Sequence, residues 1–151
     1  MGSNLGRVLE GNSSGGGSSE IITIQSLILL ASFGFNTAPL GTWYDTPLTL
    51  TLPNRKNGFA RIGIQITWIC DSLPLVLGFQ IIDNGIAQYF KGDDGSSAGT
   101  YRAKLTTLNY VTALNGQIIK LQIASLLGNA NVTLQSGGGW GYCEINSFEV
   151  S

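Results

Sequence analysis

Phe59-Ala60-Arg61-Ile62-Gly63-Ile64-Gln65-Ile66-Thr67-Trp68-Ile69-Cys70 alternates with a period of two. Ala60, Ile62, Ile64, Ile66 and Trp68 fall on one face, because successive strand side chains point to opposite sides of a sheet. A helix would need apolar residues every three or four positions, and this stretch refuses that spacing. It predicts a β-strand with one buried face.

The same reading extends in both directions. Strands are predicted over 21–31, 47–52, 75–83, 86–91, 100–112, 117–127, 132–135 and 142–150. Ile119, Leu121 and Ile123 repeat the one-faced pattern. Asp83-Asn84-Gly85 marks a tight hairpin, since Asn and Gly tolerate the positive φ that such turns require. Turn clusters are predicted at 54–58, 92–99, 115–116, 128–131 and 136–139. No window of a dozen residues carries a helical stripe. Eight to ten short strands with regular turns imply an all-β, antiparallel two-sheet sandwich or barrel.

Residues 1–20 differ. MGSNLGRVLEGNSSGGGSSE contains a Gly/Ser run of the kind that stays disordered alone. Leu5, Val8 and Leu9 are its apolar anchors, with Arg7 among them. The expectation is an extended N-terminal arm (1–20) that lies outside its own domain and is ordered by a neighbouring chain. The domain itself occupies 21–151.

Composition narrows the function. Hydrophobic residues make up 43% of the 151 and charged residues 11%, against about 25% charged in a typical soluble protein. So few charges suggest that much surface is hidden in contacts. The formal net charge is −1, which offers no basic face to nucleic acid or anionic lipid. There is no histidine, which removes the commonest general base and zinc ligand. The nine carboxylates are scattered. No catalytic residue, cofactor or metal site is predicted. The apolar stretch 21–33 is too short and polar to cross a membrane, and it lacks the basic flank of a signal peptide. Synthesis and use without export are expected.

Several features were weighed against plainer readings. Gly92-Asp93-Asp94-Gly95 could offer oxygens to calcium, but it lacks the alternating acidic spacing of a dedicated loop, and an exposed acidic turn is preferred. Asp71 and Asp83 also read as turn residues. Gly137-Gly138-Gly139 precedes Trp140 and Gly141 instead of a phosphate-binding Lys, so it reads as a hairpin loop. Trp43, Tyr44, Tyr89, Tyr101, Tyr110, Trp140 and Tyr142 could stack on sugars, although core and interface roles are preferred. Cys70 and Cys143 are either buried small residues or one disulfide.

The order of the pieces resembles the tumour-necrosis-factor-like (complement globular head) jelly roll over about residues 20–151. The resemblance rests on Asn57-Gly58-Phe59-Ala60-Arg61-Ile62, on the aliphatic strand after Leu114-Asn115-Gly116, on Thr42–Leu50 and on the closing strand at 145–151. Phe59 stands where Tyr is common, and Gln117 where Asp is common. The resemblance implies a homotrimer without catalytic residues. It implies that the outer face of the axial sheet offers Gln65, Thr67, Gln122, Tyr142 and Phe148. Jelly-roll order would also make 59–70 and 142–150 antiparallel neighbours, bringing Cys70 and Cys143 close, with a bond depending on redox history.

The resulting expectation is a non-enzymatic virion structural protein: a trimeric phage capsid decoration (cement) protein. It would be made in the host cytoplasm, sit on the virion surface, and bind the major capsid protein or another virion protein through its arm. A receptor- or carbohydrate-binding tip of a tail or head fibre is the alternative. The short segment before the domain favours decoration, since a fibre tip usually follows a long shaft.

Overall fold

A computed structural model describes residues 3–5, 22–95, 103–137 and 142–150. Among them eleven strands form: β1 (Ser3–Leu5), β2 (Ile22–Ile28), β3 (Phe33–Asn36), β4 (Tyr44–Thr51), β5 (Asn54–Cys70), β6 (Val76–Asp83), β7 (Ile86–Asp94), β8 (Lys104–Asn115), β9 (Ile118–Leu127), β10 (Asn131–Leu134) and β11 (Glu144–Val150). The described residues contain no α-helix.

The pairings are nested. β6 pairs β7, β5 pairs β8, β4 pairs β9, β3 pairs β10 and β2 pairs β11, all antiparallel. The chain is therefore one long hairpin whose apex is the Asn84-Gly85 turn. Both turn residues have positive φ, 50° and 87°, as the two-residue hairpin demands. Rolling this hairpin gives a four-stranded sheet, β4-β9-β6-β7, and a seven-stranded sheet, β1-β2-β11-β5-β10-β3 with β8 on the other edge of β5. That is a jelly roll.

The sheets pack face to face. Ala60, Ile62, Ile64, Ile66 and Trp68 of β5 are buried, as the alternation predicts, and so are Ile119, Leu121 and Ile123 of β9. Leu77, Phe79 and Ile81 of β6 and Leu48 and Leu50 of β4 complete the facing layer. Trp68 and Phe79 meet across it with ring centroids 6.4 Å apart. Area removed from water at about 25 cal/mol per Å² makes this layer the main stabilising term.

One lateral edge is closed by polar side chains. Asp83 accepts hydrogen bonds from Tyr110 Oη at 2.9 Å and Thr112 Oγ1 at 2.7 Å. Lys91 Nζ donates to the Thr107 carbonyl at 2.9 Å. Asp93 pairs with Lys104 at 2.8 Å and accepts a hydrogen bond from Thr106. These contacts tie β6 and β7 of one sheet to β8 of the other without a backbone ladder.

The structure departs from the sequence reading at definite points. Residues 54–58 are not a turn but the start of β5, where an irregularity between Asn54 and Phe59 shifts the register against β8. Residues 92–94 continue β7. Strand β3 was not predicted; Phe-Gly-Phe-Asn is too short to show a pattern, yet Phe33 and Phe35 pack on the core. Ser3–Leu5 lie in register on β2 of their own domain, Ser3 beside Ile28 and Leu5 beside Ser26. This differs from an arm wholly outside its own fold. Arg7, Val8 and Leu9 fall outside the described residues.

Strands β5 and β11 are antiparallel neighbours, as jelly-roll order implies. The cysteines are nevertheless unbridged: both thiols are free and buried. The Cys143 thiol donates to the Thr67 carbonyl at 3.3 Å, and Cys70 lies three residues further along, about 10 Å at ~3.3 Å per strand residue. A disulfide requires Cα atoms within roughly 7 Å, so this register does not suit one.

Candidate functional site

Strand parity builds the outer face of the seven-stranded sheet. With even residues of β5 in the core, Phe59, Arg61, Gly63, Gln65, Thr67 and Ile69 point away from it. In β8 the outward set is Leu105, Thr107, Asn109, Val111 and Ala113; in β11 it is Glu144, Asn146 and Phe148. Register aligns these into rows: Phe148–Arg61–Val111, then Asn146–Gly63–Asn109, then Glu144–Gln65–Thr107. Gly63 leaves the middle row open. A Cβ there would stand 2.7 Å from Asn146 Oδ1. Two shallow depressions of about 380 and 360 Å³ share Gly63, Asn109 and Asn146.

This face is unusually apolar for an exterior. Phe59, Leu105, Val111 and Phe148 are 40–59% exposed. Among the outward residues just named, Arg61 and Glu144 are the only charged ones. Phe59, Val111 and Phe148 cluster at one end of the face, and Leu105 stands beyond the two polar rows; an exposed apolar cluster of this kind marks an interaction surface more often than a free one.

The predicted interface residues divide. Gln65 and Phe148 share this face. Thr67 is on it by parity but only 6% exposed, and its carbonyl accepts from the Cys143 thiol and the Gln135 N–H. Tyr142 is exposed and bridges Ser136. Gln122 belongs to the other sheet, where it bonds to Gln80; the five residues therefore do not form one patch. Phe59, Leu105 and Val111 were missed, although their signal is in the sequence: each is apolar on the parity that should be polar.

The aromatic side chains do not assemble a common platform. Trp43 meets Phe90 edge-on outside the four-stranded sheet, with centroids 6.1 Å apart. Tyr44 packs on Phe35 and donates to the Ala38 carbonyl. Tyr89 packs against the core, and Tyr110 serves the Asp83 bridge. Tyr101 and Trp140 lie outside the described residues, as do Gly138 and Gly139.

The acidic residues do structural work. Asp93 already holds Lys104, so a cation there would displace an ion pair. Asp71 accepts from the Asn131 side chain at 2.6 Å and backbone at 2.8 Å. These donors hold its carboxyl below the usual range. Burial, then the Asp83 hydrogen bond, pushes the Tyr110 phenol up. Burial likewise raises the Cys70 thiol, and lifts the Cys143 thiol to about 11. A raised pKa means fewer thiolates, hence poor nucleophiles. Among the described residues, no group of three His, Cys, Asp or Glu side chains could hold a metal ion.

No protein-family model matches the chain, and no curated protein matches it in sequence. Its fold does have counterparts among solved structures. The structure of infectious bursal disease virus, Gx strain, superposes with a TM-score of 0.50 at 12% identity, covering 97% of this chain and 45% of that one. The crystal structure of the infectious bursal disease virus VP2 subviral particle gives 0.50 at 12% identity, covering 96% and 43%. The chain spans less than half the length of these structures. At such identity the likeness is one of fold: a β-sandwich of the kind found in that virus particle.

Proposed function

We propose that this chain is a non-enzymatic structural protein of a virion, a capsid decoration protein of the tumour-necrosis-factor-like type that trimerises through the outer face of its seven-stranded sheet. The observation that carries the reading is that face, with Phe59, Leu105, Val111 and Phe148 exposed around one Arg and one Glu. Burying four such side chains is worth several kcal/mol at about 25 cal/mol per Å², which is enough to hold an oligomer if shape complementarity is good. Arg61 and Glu144 sit two rows apart on one face, so threefold-related copies can pair Arg61 of one with Glu144 of the next around a closed ring. The fold likeness to virus-particle structures is consistent with a place in a virus particle.

In this reading the N-terminal segment attaches the trimer to the major capsid protein or another virion protein after synthesis in the host cytoplasm. Light scattering on the isolated protein tests the assembly. A trimer is expected, converted to monomer by Phe148→Arg or Val111→Arg with the circular dichroism spectrum retained. A wild-type protein that is monomeric across the micromolar range overturns it.

A further inference from the structure

The outer face of the four-stranded sheet carries a different arrangement. Register sets Asp45 of β4 beside Gln122 of β9, Gln122 beside Gln80 of β6, and Gln80 beside Phe90 of β7. Gln80 Nε2 donates to Gln122 Oε1 at 2.7 Å, and Gln122 Nε2 donates to Asp45 Oδ1 at 2.7 Å. An ionised carboxylate only accepts. Asp45 therefore fixes which way the Gln122 amide faces, and Gln122 in turn fixes Gln80. Each amide keeps a second N–H and spare lone pairs for a visitor, and Asp45 keeps its other oxygen.

These groups line a trough of about 490 Å³ with Ile82, Ala87 and Ile118 as apolar lining and Lys120 and Asn84 as further polar groups. The volume falls within the range of small-molecule sites, ~300–1,000 Å³. Asp45 and Lys120 supply one charge of each sign, so the trough favours neither an anion nor a cation. At the end of the row, beside the trough and not part of its lining, stands Phe90, 56% exposed, its ring held edge-on to Trp43 at 6.1 Å and 82°. Gly78 beneath permits this: a Cβ there would come within 3.1 Å of both rings.

We infer that this row, from the trough across to Phe90, is a binding site for a neutral sugar, whose hydroxyls bond to Gln80, Gln122 and Asp45 and whose apolar face rests on Phe90. A hydroxyl both donates and accepts. An oriented amide presents one donor and one acceptor in a plane, so neighbouring hydroxyls match it without leaving either group unpaired. Orientation is set before the ligand arrives, which lowers the ordering cost of binding. The site lies on the sheet opposite the apolar face, and the inference does not depend on trimerisation.

The test uses the full chain and nitrogen-edited NMR, titrating the methyl glycosides of glucose, galactose, mannose and N-acetylglucosamine. At least one should shift the side-chain amide signals of Gln80 and Gln122 saturably, together with the backbone signals of Ala87 and Lys120. Gln122→Ala and Phe90→Ala should each weaken that binding at least tenfold. Asp45→Asn, exposed and harmless to the fold, should weaken it too by freeing the amide row to flip. Absence of saturable shifts with all four glycosides overturns the inference. So does binding that is unchanged in Phe90→Ala and Asp45→Asn.

Discussion

Trp68 Nε1 donates to Thr106 Oγ1 at 3.0 Å, deep between the sheets. The Thr106 hydroxyl donates its own hydrogen bond to Asp93, which pairs with Lys104. One relay thus runs from the largest core side chain in β5, through β8, to β7 of the opposite sheet. The buried indole N–H finds its partner on the neighbouring strand of its own sheet, and that partner's hydroxyl reaches on to the other sheet.

Thr106→Val should therefore be costly despite its near-identical shape. It leaves a buried indole N–H and a carboxylate short of a partner, worth about 1–3 kcal/mol. Thr106→Ser should recover most of the loss. Urea denaturation followed by Trp fluorescence measures both, and equal stability of the Val and wild-type proteins would show that the relay contributes nothing.

Alkaline pH should destabilise the fold through Cys143. Its folded pKa of about 11 lies above the unfolded value of 9.0. Stability from the neutral thiol is complete below pH 9.0 and is lost as pH rises through about 11. A rise of that size corresponds to on the order of 3 kcal/mol. Cys70 and Tyr110, also raised, act in the same direction. Chemical denaturation at stepped pH should show falling stability across this window, with a shallower fall in Cys143→Ala.

Gly128 and Gly85 should respond differently to alanine. Both have positive φ, 75° and 87°. A Cβ on Gly85 meets open space, while one on Gly128 would lie 2.0 Å from the Pro74 carbonyl oxygen. Gly85→Ala should cost about 1 kcal/mol from backbone strain alone. Gly128→Ala must move backbone as well and should cost at least ~3 kcal/mol. Thermal melts of the two variants give the comparison.

Removal of residues 1–19 should leave the domain folded, since β1 adds only three residues to the edge of β2. The melting temperature should change by only a few degrees, while attachment to particles should be lost. Unchanged decoration by the truncated protein would show that the anchor lies elsewhere.

Much of this architecture is legible in the chain. The parity of Ala60–Trp68 and Ile119–Ile123 reports core and exterior directly, and Asn84-Gly85 announces the hairpin. What is not legible depends on register between distant strands. Gln80, Gln122 and Asp45 are separated by up to 77 positions, and no local pattern puts them in a row. Gln122 was consequently assigned to the wrong sheet. The cysteines failed for the same reason, because neighbouring strands do not fix which residues stand opposite. Phe59, Leu105 and Val111 could have been found as apolar residues on the polar parity.

The nested pairing also constrains how a ribosome can deliver this molecule. Strand β11, the last described strand of the chain, lies in the middle of its sheet, between β2 and β5. Until it emerges, β2 and one edge of β5 present unpaired backbone, the kind of surface that invites pairing with other chains. The central hairpin, β6–β7, can close early from local contacts, whereas the outermost pair waits for β11. Newborn chains that still lack β11 are thus open to mispairing, and crowded polysomes are where this fold most needs protection.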